Sequence, residues 1–257
     1  MMLDYQIVMT VFVFGLCIGS FLNVCIFRLP ISKSVVHPRS SCPKCGYMIR
    51  SYDNIPVLSY LMLGGKCRQC REAISFRYPM VEIISGLFAV GSVYKFGLSP
   101  EAIVYYIFIA CLLVITFIDI DHRIIPDMIT LPGIPIFFLA SFALPDMTYM
   151  DSLLGLLAGG GSLYLVAWTY QALAKKEGMG GGDIKLLAMM GVLIGWKGVL
   201  FTIFVSSLVG TLIGLAVMLY TRVNMKLAVP FGPFLSVGAV TYIFFGNEII
   251  SWYFNLL

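Results

Sequence analysis

The chain has 257 residues, of which 60% are hydrophobic and only 12% are charged, and its mean hydropathy is +0.93. An ordinary soluble domain carries roughly 25% charged residues, so this composition excludes a typical soluble enzyme and predicts that most of the apolar surface faces lipid. The 17 basic and 13 acidic residues give a net charge of +4. This value alone excludes no class of protein, so the positions of the charges must be considered.

The first apolar run covers residues 5–27 and predicts a transmembrane helix, because a membrane-crossing helix needs about 20 residues. Its positive charges follow the run, which is the opposite of the order in a signal peptide. Residues 28–79 come next and form a polar segment, called here the basic island. Nine of the 17 basic residues lie in it, between Arg28 and Arg77.

Two C-x2-C pairs lie in the basic island, Cys42/Cys45 and Cys67/Cys70, with 21 residues between them. Two such knuckles can bring four thiolates around one tetrahedral ion, which predicts a structural zinc site. A pair of disulfides is the alternative, although a cytoplasmic loop is kept reducing. The island has few apolar residues, so bound zinc would supply much of its folding free energy.

Seven further apolar runs follow and bring the predicted number of transmembrane helices to eight. They cover residues 80–97, 101–118, 128–144, 152–173, 184–196, 199–220 and 228–254. The sixth run of the eight is short, and a re-entrant segment is an alternative there. Glycines recur four residues apart within the runs, which predicts close helix packing; the pairs are Gly15/Gly19, Gly155/Gly159, Gly191/Gly195 and Gly210/Gly214.

The positive-inside rule predicts that the basic island is cytoplasmic and the N-terminus outside. If successive helices cross the membrane in alternating directions, Lys95 and Lys197 are the only basic residues that lie outside. The inner loops hold the island's nine together with Arg123, Lys175, Lys176, Lys185, Arg222 and Lys226. The predicted fold is an all-α polytopic membrane protein with about eight transmembrane helices and a cytoplasmic zinc-knuckle loop domain between the first and second. Its predicted parts are a first helix (1–27), the island (28–79) and a transmembrane core (80–257).

Two aspartates, Asp119 and Asp183, stand at the ends of apolar runs, where acids are costly and commonly mark function. Two predicted helices lie between them, and an even number of crossings returns the chain to the same side of the membrane. Both acids are therefore predicted to lie at the cytoplasmic boundary. Two carboxyls in a partly desolvated site share one proton, so that one can act as base towards water and the other as acid towards a scissile carbonyl. The glycines before Asp183, Gly180 to Gly182, could let a peptide backbone approach.

Structural roles are the alternatives for the same residues. Asp183 could cap its helix, and Asp119 could pair with Arg123 or belong to an ion pathway. Helix capping is favoured for Asp127. Lys185 could extend to the membrane interface.

The sequence resembles the bacterial type IV prepilin peptidases, the bifunctional leader peptidase/N-methyltransferases, nearly from end to end. The matching segments are residues 19–24 (GSFLNV), 28–30 (RLP), 38–40 (PRS), 54–60 (NIPVLSY), 77–82 (RYPMVE), the two cysteine knuckles, and the motifs D-x5-I-P-D from Asp119 and G-x-G-D ending at Asp183. The resemblance implies that Asp119 and Asp183 are the catalytic aspartates and that the four knuckle cysteines bind zinc. It also extends the second motif to Lys185.

The resemblance further implies a substrate and a second reaction. Prepilins and pseudopilins would be cleaved after a glycine at the cytoplasmic face of the bacterial inner membrane. The new N-terminal residue, commonly Phe, would then be methylated with S-adenosylmethionine. The expected partners are these substrates and the lipid bilayer, without nucleic acid. The competing hypothesis is a non-enzymatic membrane transporter, or an assembly scaffold for a pilus or secretion system, with a structural zinc module.

Overall fold

The computed structural model describes residues 4–175, 180–221 and 230–255, which form helices joined by turns. The helices are α1 (Tyr5–Arg28), α2 (Leu58–Met62), α3 (Arg77–Phe96), α4 (Pro100–His122), α5 (Asp127–Ser141), α6 (Tyr149–Ala174), α7 (Gly181–Thr221) and α8 (Gly232–Asn255). Single 3₁₀ turns cover Leu29–Ile31 and Ser51–Asn54. Within these described ranges the β structure is limited to two isolated bridges, so the prediction of an all-α protein is confirmed.

Among the residues that the structure describes, six helices are long and apolar enough to cross a membrane, namely α1, α3, α4, α6, α7 and α8. The eight predicted runs occupy seven helices, because α7 contains both the sixth and the seventh run. Gly195 interrupts α7 with φ 68° and ψ 176°, which lies outside the helical region. The fourth run corresponds to α5, which has only 15 residues. The protein is therefore a multi-pass membrane protein, while its orientation stays a prediction; Lys176, Arg222 and Lys226 lie outside the described residues.

The chain divides into two compact units, Met1–Val114 and Ile115–Leu257. In the first unit, α1 packs against α3 through small residues, as the glycine spacing predicts. A Cβ atom at Gly15 would lie 2.7 Å from the Cα of Gly86, and one at Gly19 would lie 2.6 Å from the Cα of Glu82. The Ser85 hydroxyl also donates a hydrogen bond of 2.8 Å to the Gly15 carbonyl. Only glycine allows the two backbones to approach this closely.

In the second unit, α6 and the first half of α7 approach in the same way. A Cβ atom at Gly155 would overlap the carbonyl oxygen of Gly191. The Ser152 hydroxyl donates to the Val192 carbonyl at 2.6 Å. Among the α7 side chains that this contact helps to bury completely are Leu187 and Met190. The beginning of α7, which carries Asp183, is therefore fixed by packing on a rigid neighbour.

Candidate functional site

Asp119 lies in the last turn of α4, where its side chain is only 5% exposed. The helix ends at His122, because Arg123 adopts a left-handed conformation with φ 56°. The backbone N–H of Gly232, at the start of α8, donates a hydrogen bond of 3.0 Å to Asp119 Oδ2. Free N–H groups at the first turn of a helix favour a nearby negative charge. The buried carboxylate therefore has one fixed donor from the main chain.

Asp183 is the third residue of α7 and is half-buried. The Asp119 carboxylate acts electrostatically on the Asp183 carboxylate. The segments that carry the two aspartates are neighbours, because Gly182, next to Asp183, and Gly232, the donor to Asp119, both lie against Ile125. Asp183 lies inside the first turn of α7 rather than at its N-cap. Two carboxyl groups that lie close together away from water can share one proton.

Ile125 lies between the two aspartate-bearing segments and fills the space left by two glycines. A Cβ atom at Gly182 would lie 2.8 Å from the Ile125 Cβ, and one at Gly232 would lie 3.5 Å from its Cδ1. The missing side chain of Gly182 therefore makes room for Ile125. Gly180 and Gly181 are more open: the nearest atom to a Cβ at Gly180 is Asp183 Oδ2 at 3.9 Å, and nothing lies within 4 Å at Gly181. Substrate approach along Gly180 and Gly182 stays a prediction.

Lys185, near the start of α7, forms an ion pair with a residue at the start of α5. Its Nζ lies 2.8 Å from both carboxylate oxygens of Asp127. Asp127 is the first residue of α5, and Pro126 occupies the N-cap. Both side chains are more than a third exposed, so the pair adds little stability. The ion pair does connect the start of α5 to the start of α7, close to the two aspartates.

Gly232 is the component of this site that the sequence analysis missed. It stands in the segment Pro230-Phe231-Gly232-Pro233-Phe234, at the start of the last apolar run. The only signal there was a glycine between prolines and aromatic residues, where the chain must turn into α8. That pattern predicts a turn but does not reveal a partner 113 residues away in the chain.

The four knuckle cysteines form a separate candidate site in the first unit. Their sulfur atoms all lie within 4.8 Å of one another, and together they could hold a metal ion. Each knuckle has the same hydrogen bonds: Cys42 N–H to the Tyr47 carbonyl at 2.9 Å, and Cys67 N–H to the Glu72 carbonyl at 2.8 Å. The equivalent turn residues, Gly46 and Arg71, both have positive φ. The island therefore contains the same knuckle twice, 25 residues apart.

The pKa values of two thiols reflect how closely the four sulfur atoms are packed. Backbone N–H groups of Cys45 and Lys44 lower the pKa of the Cys42 thiol to about 6. The pKa of Cys70 rises to about 12, although the N–H of Glu72 acts to lower it, because desolvation and the other three sulfur atoms keep it protonated. Four crowded sulfurs cannot all be thiolates unless a positive ion lies between them. Four sulfur ligands in a tetrahedral arrangement suit zinc.

Ion pairs hold the second knuckle to its surroundings. Lys44 Nζ lies 2.6 Å from a Glu72 carboxylate oxygen, which links the two knuckles. The Arg68 guanidinium pairs with Asp53 at 2.6 Å and lowers the pKa of that carboxyl. The Lys44–Glu72 pair is exposed and adds little stability, whereas the Asp53 side chain of the second pair is largely shielded from solvent.

Comparison with known proteins identifies two family models along the chain. Residues 13–96 match the bacterial peptidase A24 N-terminal domain, and residues 106–215 match the type IV leader peptidase family. Proteins named "Prepilin leader peptidase/N-methyltransferase" from Pseudomonas putida and Aeromonas salmonicida are each 36% identical, over 95% and 96% of this chain and 93% and 94% of their own lengths. The protein of the same name from Pseudomonas aeruginosa is also 36% identical, over 93% of this chain and 90% of its own. No solved structure matches at a significant level.

Proposed function

Because this chain belongs to the type IV leader peptidase family, we propose that it is a membrane aspartyl endopeptidase that removes prepilin leaders and then methylates the new N-terminus. Relatives with both activities in their names cover almost the whole chain. This similarity favours the bifunctional enzyme over a transporter or an assembly scaffold. The single structural observation that supports peptide hydrolysis is the pairing of buried Asp119 with Asp183.

The proposed hydrolysis needs one proton on the carboxyl pair. The ionised carboxylate takes a proton from a water molecule, whose oxygen attacks the carbonyl carbon of the glycine that ends the leader. The protonated carboxyl gives its proton to the carbonyl oxygen, and the resulting tetrahedral intermediate then collapses to a carboxylate and an amine. The donor from Gly232 fixes the orientation of Asp119. Gly180 leaves space for an extended peptide beside Asp183.

The proposed location is the bacterial inner membrane, with the N-terminus outside. The basic island and both aspartates then face the cytoplasm, where the basic leader of a prepilin or pseudopilin remains. The support comes from the distribution of Lys and Arg among the loops. A zinc ion at Cys42, Cys45, Cys67 and Cys70 is proposed as a structural ion, because four sulfur ligands leave no open position for catalysis.

The second proposed reaction uses S-adenosylmethionine, which supplies an electrophilic methyl group when bound. The amine released by cleavage is the nucleophile, so the order of the two reactions follows from their chemistry. The methyl donor is supported only by the names of the relatives. No residue of the aspartate site is assigned to it.

Separate substitutions Asp119→Asn and Asp183→Asn test the peptidase proposal. Each keeps the shape of the side chain but removes acid–base function, so we expect cleavage of a co-expressed prepilin to fall at least ~100-fold. Asp151→Asn is a matched control, because Asp151 belongs to the capping box of α6. Electrophoresis and mass spectrometry of the pilin measure the outcome. Full processing by either variant would contradict the proposed pair, and pH-driven transport with an intact leader would favour the transporter.

A further inference from the structure

Residues 54–65 of the basic island contain no charged side chain, and the short helix α2 lies among them. Leu58, Leu61 and Met62 are 57%, 66% and 85% exposed. Their spacing of three and four residues places them on one side of α2, called here the apolar face. The side chain of Phe76, just before α3, is exposed as well. A group of exposed apolar side chains, unlike a single one, marks an interaction surface.

The opposite side of α2 is packed on the rest of the island. The buried Ser59 hydroxyl donates a hydrogen bond of 3.0 Å to the Tyr52 carbonyl. The Tyr60 ring lies against Gly65, where a Cβ atom would be 3.0 Å from it. The same ring meets the Phe76 ring at a centroid distance of 6.4 Å. These contacts fix the rotation of α2, so its apolar face points away from the island's interior.

The level of α2 along the membrane-spanning helices follows from the register of α1 and α3. Gly19 of α1 lies against Glu82 of α3, where a Cβ atom would be 2.6 Å from the Glu82 Cα. At a rise of about 1.5 Å per residue, this contact is about 7 Å inside the start of α3 and about 13 Å from Arg28, the last residue of α1. A carboxyl oxygen of Glu82 accepts the N–H of Val57 at 2.8 Å. The chain therefore enters α2 beside the two helices and not beyond their ends.

A segment at this level must satisfy its backbone polar groups within the protein, because hydrocarbon offers them no partner. The Ile55 N–H donates to the Ser59 hydroxyl oxygen at 3.0 Å, and the Val57 N–H donates to Glu82. Pro56, between them, has no N–H to satisfy. Further N–H groups donate to carbonyls of the same segment, namely those of residues 58, 59, 61, 63, 64 and 65. The segment thus has the internal hydrogen bonding that contact with lipid requires.

We propose that residues 55–63 are embedded in the membrane and that acyl chains of the leaflet beside the basic island cover the apolar face. Lipid fits the observations because the face is uncharged and lies beside two membrane-spanning helices, next to the exposed Phe76. Lys66 follows the segment and Arg77 begins α3, so both cations can reach lipid phosphates. The second knuckle, which begins at Cys67, is then held against the membrane. This inference depends on the membrane setting of the chain and not on its proposed activity.

Quenching of tryptophan fluorescence by brominated lipid tests the proposal on the full-length protein in nanodiscs. Trp168→Phe, Trp196→Phe and Trp252→Phe first remove the native emission. For Met62→Trp in this background we expect brominated lipid to remove about half of the emission or more, because interfacial helices bury their apolar face ~5–10 Å into the boundary of headgroups and acyl chains. Gln69→Trp is the matched control, because Gln69 is also exposed but lies between the cysteines of the second knuckle. Its emission should change little.

Substitutions of Glu82 test what holds the segment at this level. Glu82→Ala removes the acceptor of the Val57 N–H, so the quenching of Met62→Trp should fall. Glu82→Gln keeps an oxygen acceptor and should restore it. Equal quenching with all three residues at position 82 would contradict the positioning role of Glu82. Circular dichroism reports whether each variant is folded.

The proposal is overturned if brominated lipid quenches Met62→Trp and Leu61→Trp no more than Gln69→Trp while circular dichroism is unchanged. The two reporters on the apolar face must agree, so a folding defect in one of them does not decide the result. Emission that resists brominated lipid but shifts to shorter wavelength as the protein concentration rises would show that a second copy of the chain covers the face, and would overturn the proposal as well. Failure to cleave a prepilin would contradict the proposed peptidase and leave these measurements unchanged.

Discussion

Gly232 contributes to the aspartate site both by a group it has and by a group it lacks. Its N–H donates to Asp119 Oδ2, and the missing side chain leaves room for the same carboxylate. A Cβ atom at this position would lie 2.7 Å from Oδ2 and 3.3 Å from Cγ. Since Asp119 is almost fully buried, its carboxylate has little space into which to retreat. The position and the orientation of Asp119 therefore both depend on this glycine.

Gly232→Ala should slow leader cleavage by roughly 10- to 100-fold, because misplacing a catalytic group by about 1 Å can cost that much. Alanine is a better helix former than glycine, so the first turn of α8 should not be weakened. The measurement is the rate of prepilin cleavage by purified protein, together with its melting temperature. Gly214→Ala serves as the control, because nothing lies within 4 Å of a Cβ there. Equal activity in the two variants would show that Asp119 does not need this space.

Single residues differed in how well the sequence revealed them. The spacing of the four cysteines itself predicts proximity, whereas the even number of helices between Asp119 and Asp183 predicts that both reach the same membrane face. The role of Gly232 depends on a hydrogen bond across 113 positions, which no local pattern encodes. The contacts of Ile125 were hidden for the same reason. Lys185 was recognised as an extension of the motif, but its partner Asp127 becomes visible only when α5 and α7 are placed side by side.

At the scale of helices, the contact of α6 with α7 is made by backbone on backbone. A Cβ atom at Gly155 would overlap the Gly191 carbonyl, and one at Gly191 would overlap the Gly155 carbonyl. In lipid, where burial of apolar surface does not drive helices together, such close packing supplies much of their association. The contact is reciprocal, so a side chain on either helix must push the two apart.

Gly155→Ala should therefore lower stability by about 1–3 kcal/mol, the usual cost of overpacking, despite the higher helix propensity of alanine. Unfolding of the detergent-purified protein by a denaturing detergent, followed by circular dichroism, measures the change. Gly161→Ala lies on the same helix with no atom within 4 Å of its Cβ, and it should be neutral or slightly stabilising. If both variants unfold alike, the close approach of α6 and α7 makes no net contribution.

Hydropathy located the helices well but not their breaks. The prediction placed two runs at residues 184–196 and 199–220, and the structure has one element with an interruption at Gly195. A window average registers how apolar a segment is and is insensitive to a single residue with positive φ. Likewise, the hydropathy of α5 predicts a transmembrane run, although the helix has only 15 residues and contains Pro132 and Pro135. Length and helix propensity carried the prediction, whereas backbone geometry at single residues lay beyond it.

At the scale of the whole molecule, one family model covers the cysteine cluster and the other covers the two aspartates. The four clustered cysteines lie within residues 13–96, and both aspartates lie within residues 106–215. The predicted division at residues 27 and 79 follows hydropathy and stays a prediction. It separated α1 from the island, although α1 packs on α3 and its last residue, Arg28, donates hydrogen bonds to the Ser34 and Pro38 carbonyls in the island.

Thiol labelling of membrane vesicles should report both the proposed orientation and the proposed ion. A membrane-impermeant maleimide should label the island only in inverted vesicles and only after chelation, because Cys45 and Cys70 are exposed but would be held as zinc thiolates. A variant with Cys45→Ser and Cys70→Ser is the control for label at other cysteines. Labelling in right-side-out vesicles would contradict the orientation. Equal labelling before and after chelation would contradict the metal.

The doubled knuckle also has a consequence for the unfolded chain. An ion held by Cys42, Cys45, Cys67 and Cys70 is a cross-link that closes a loop of 21 intervening residues. Closing a loop of about this length removes chain entropy worth about 3 kcal/mol from the unfolded state. That loop carries α2 and the segment that donates to Glu82. One knuckle alone would close only the short loop between its own two cysteines, so we expect folding of the island to be coupled to binding of the ion by both knuckles.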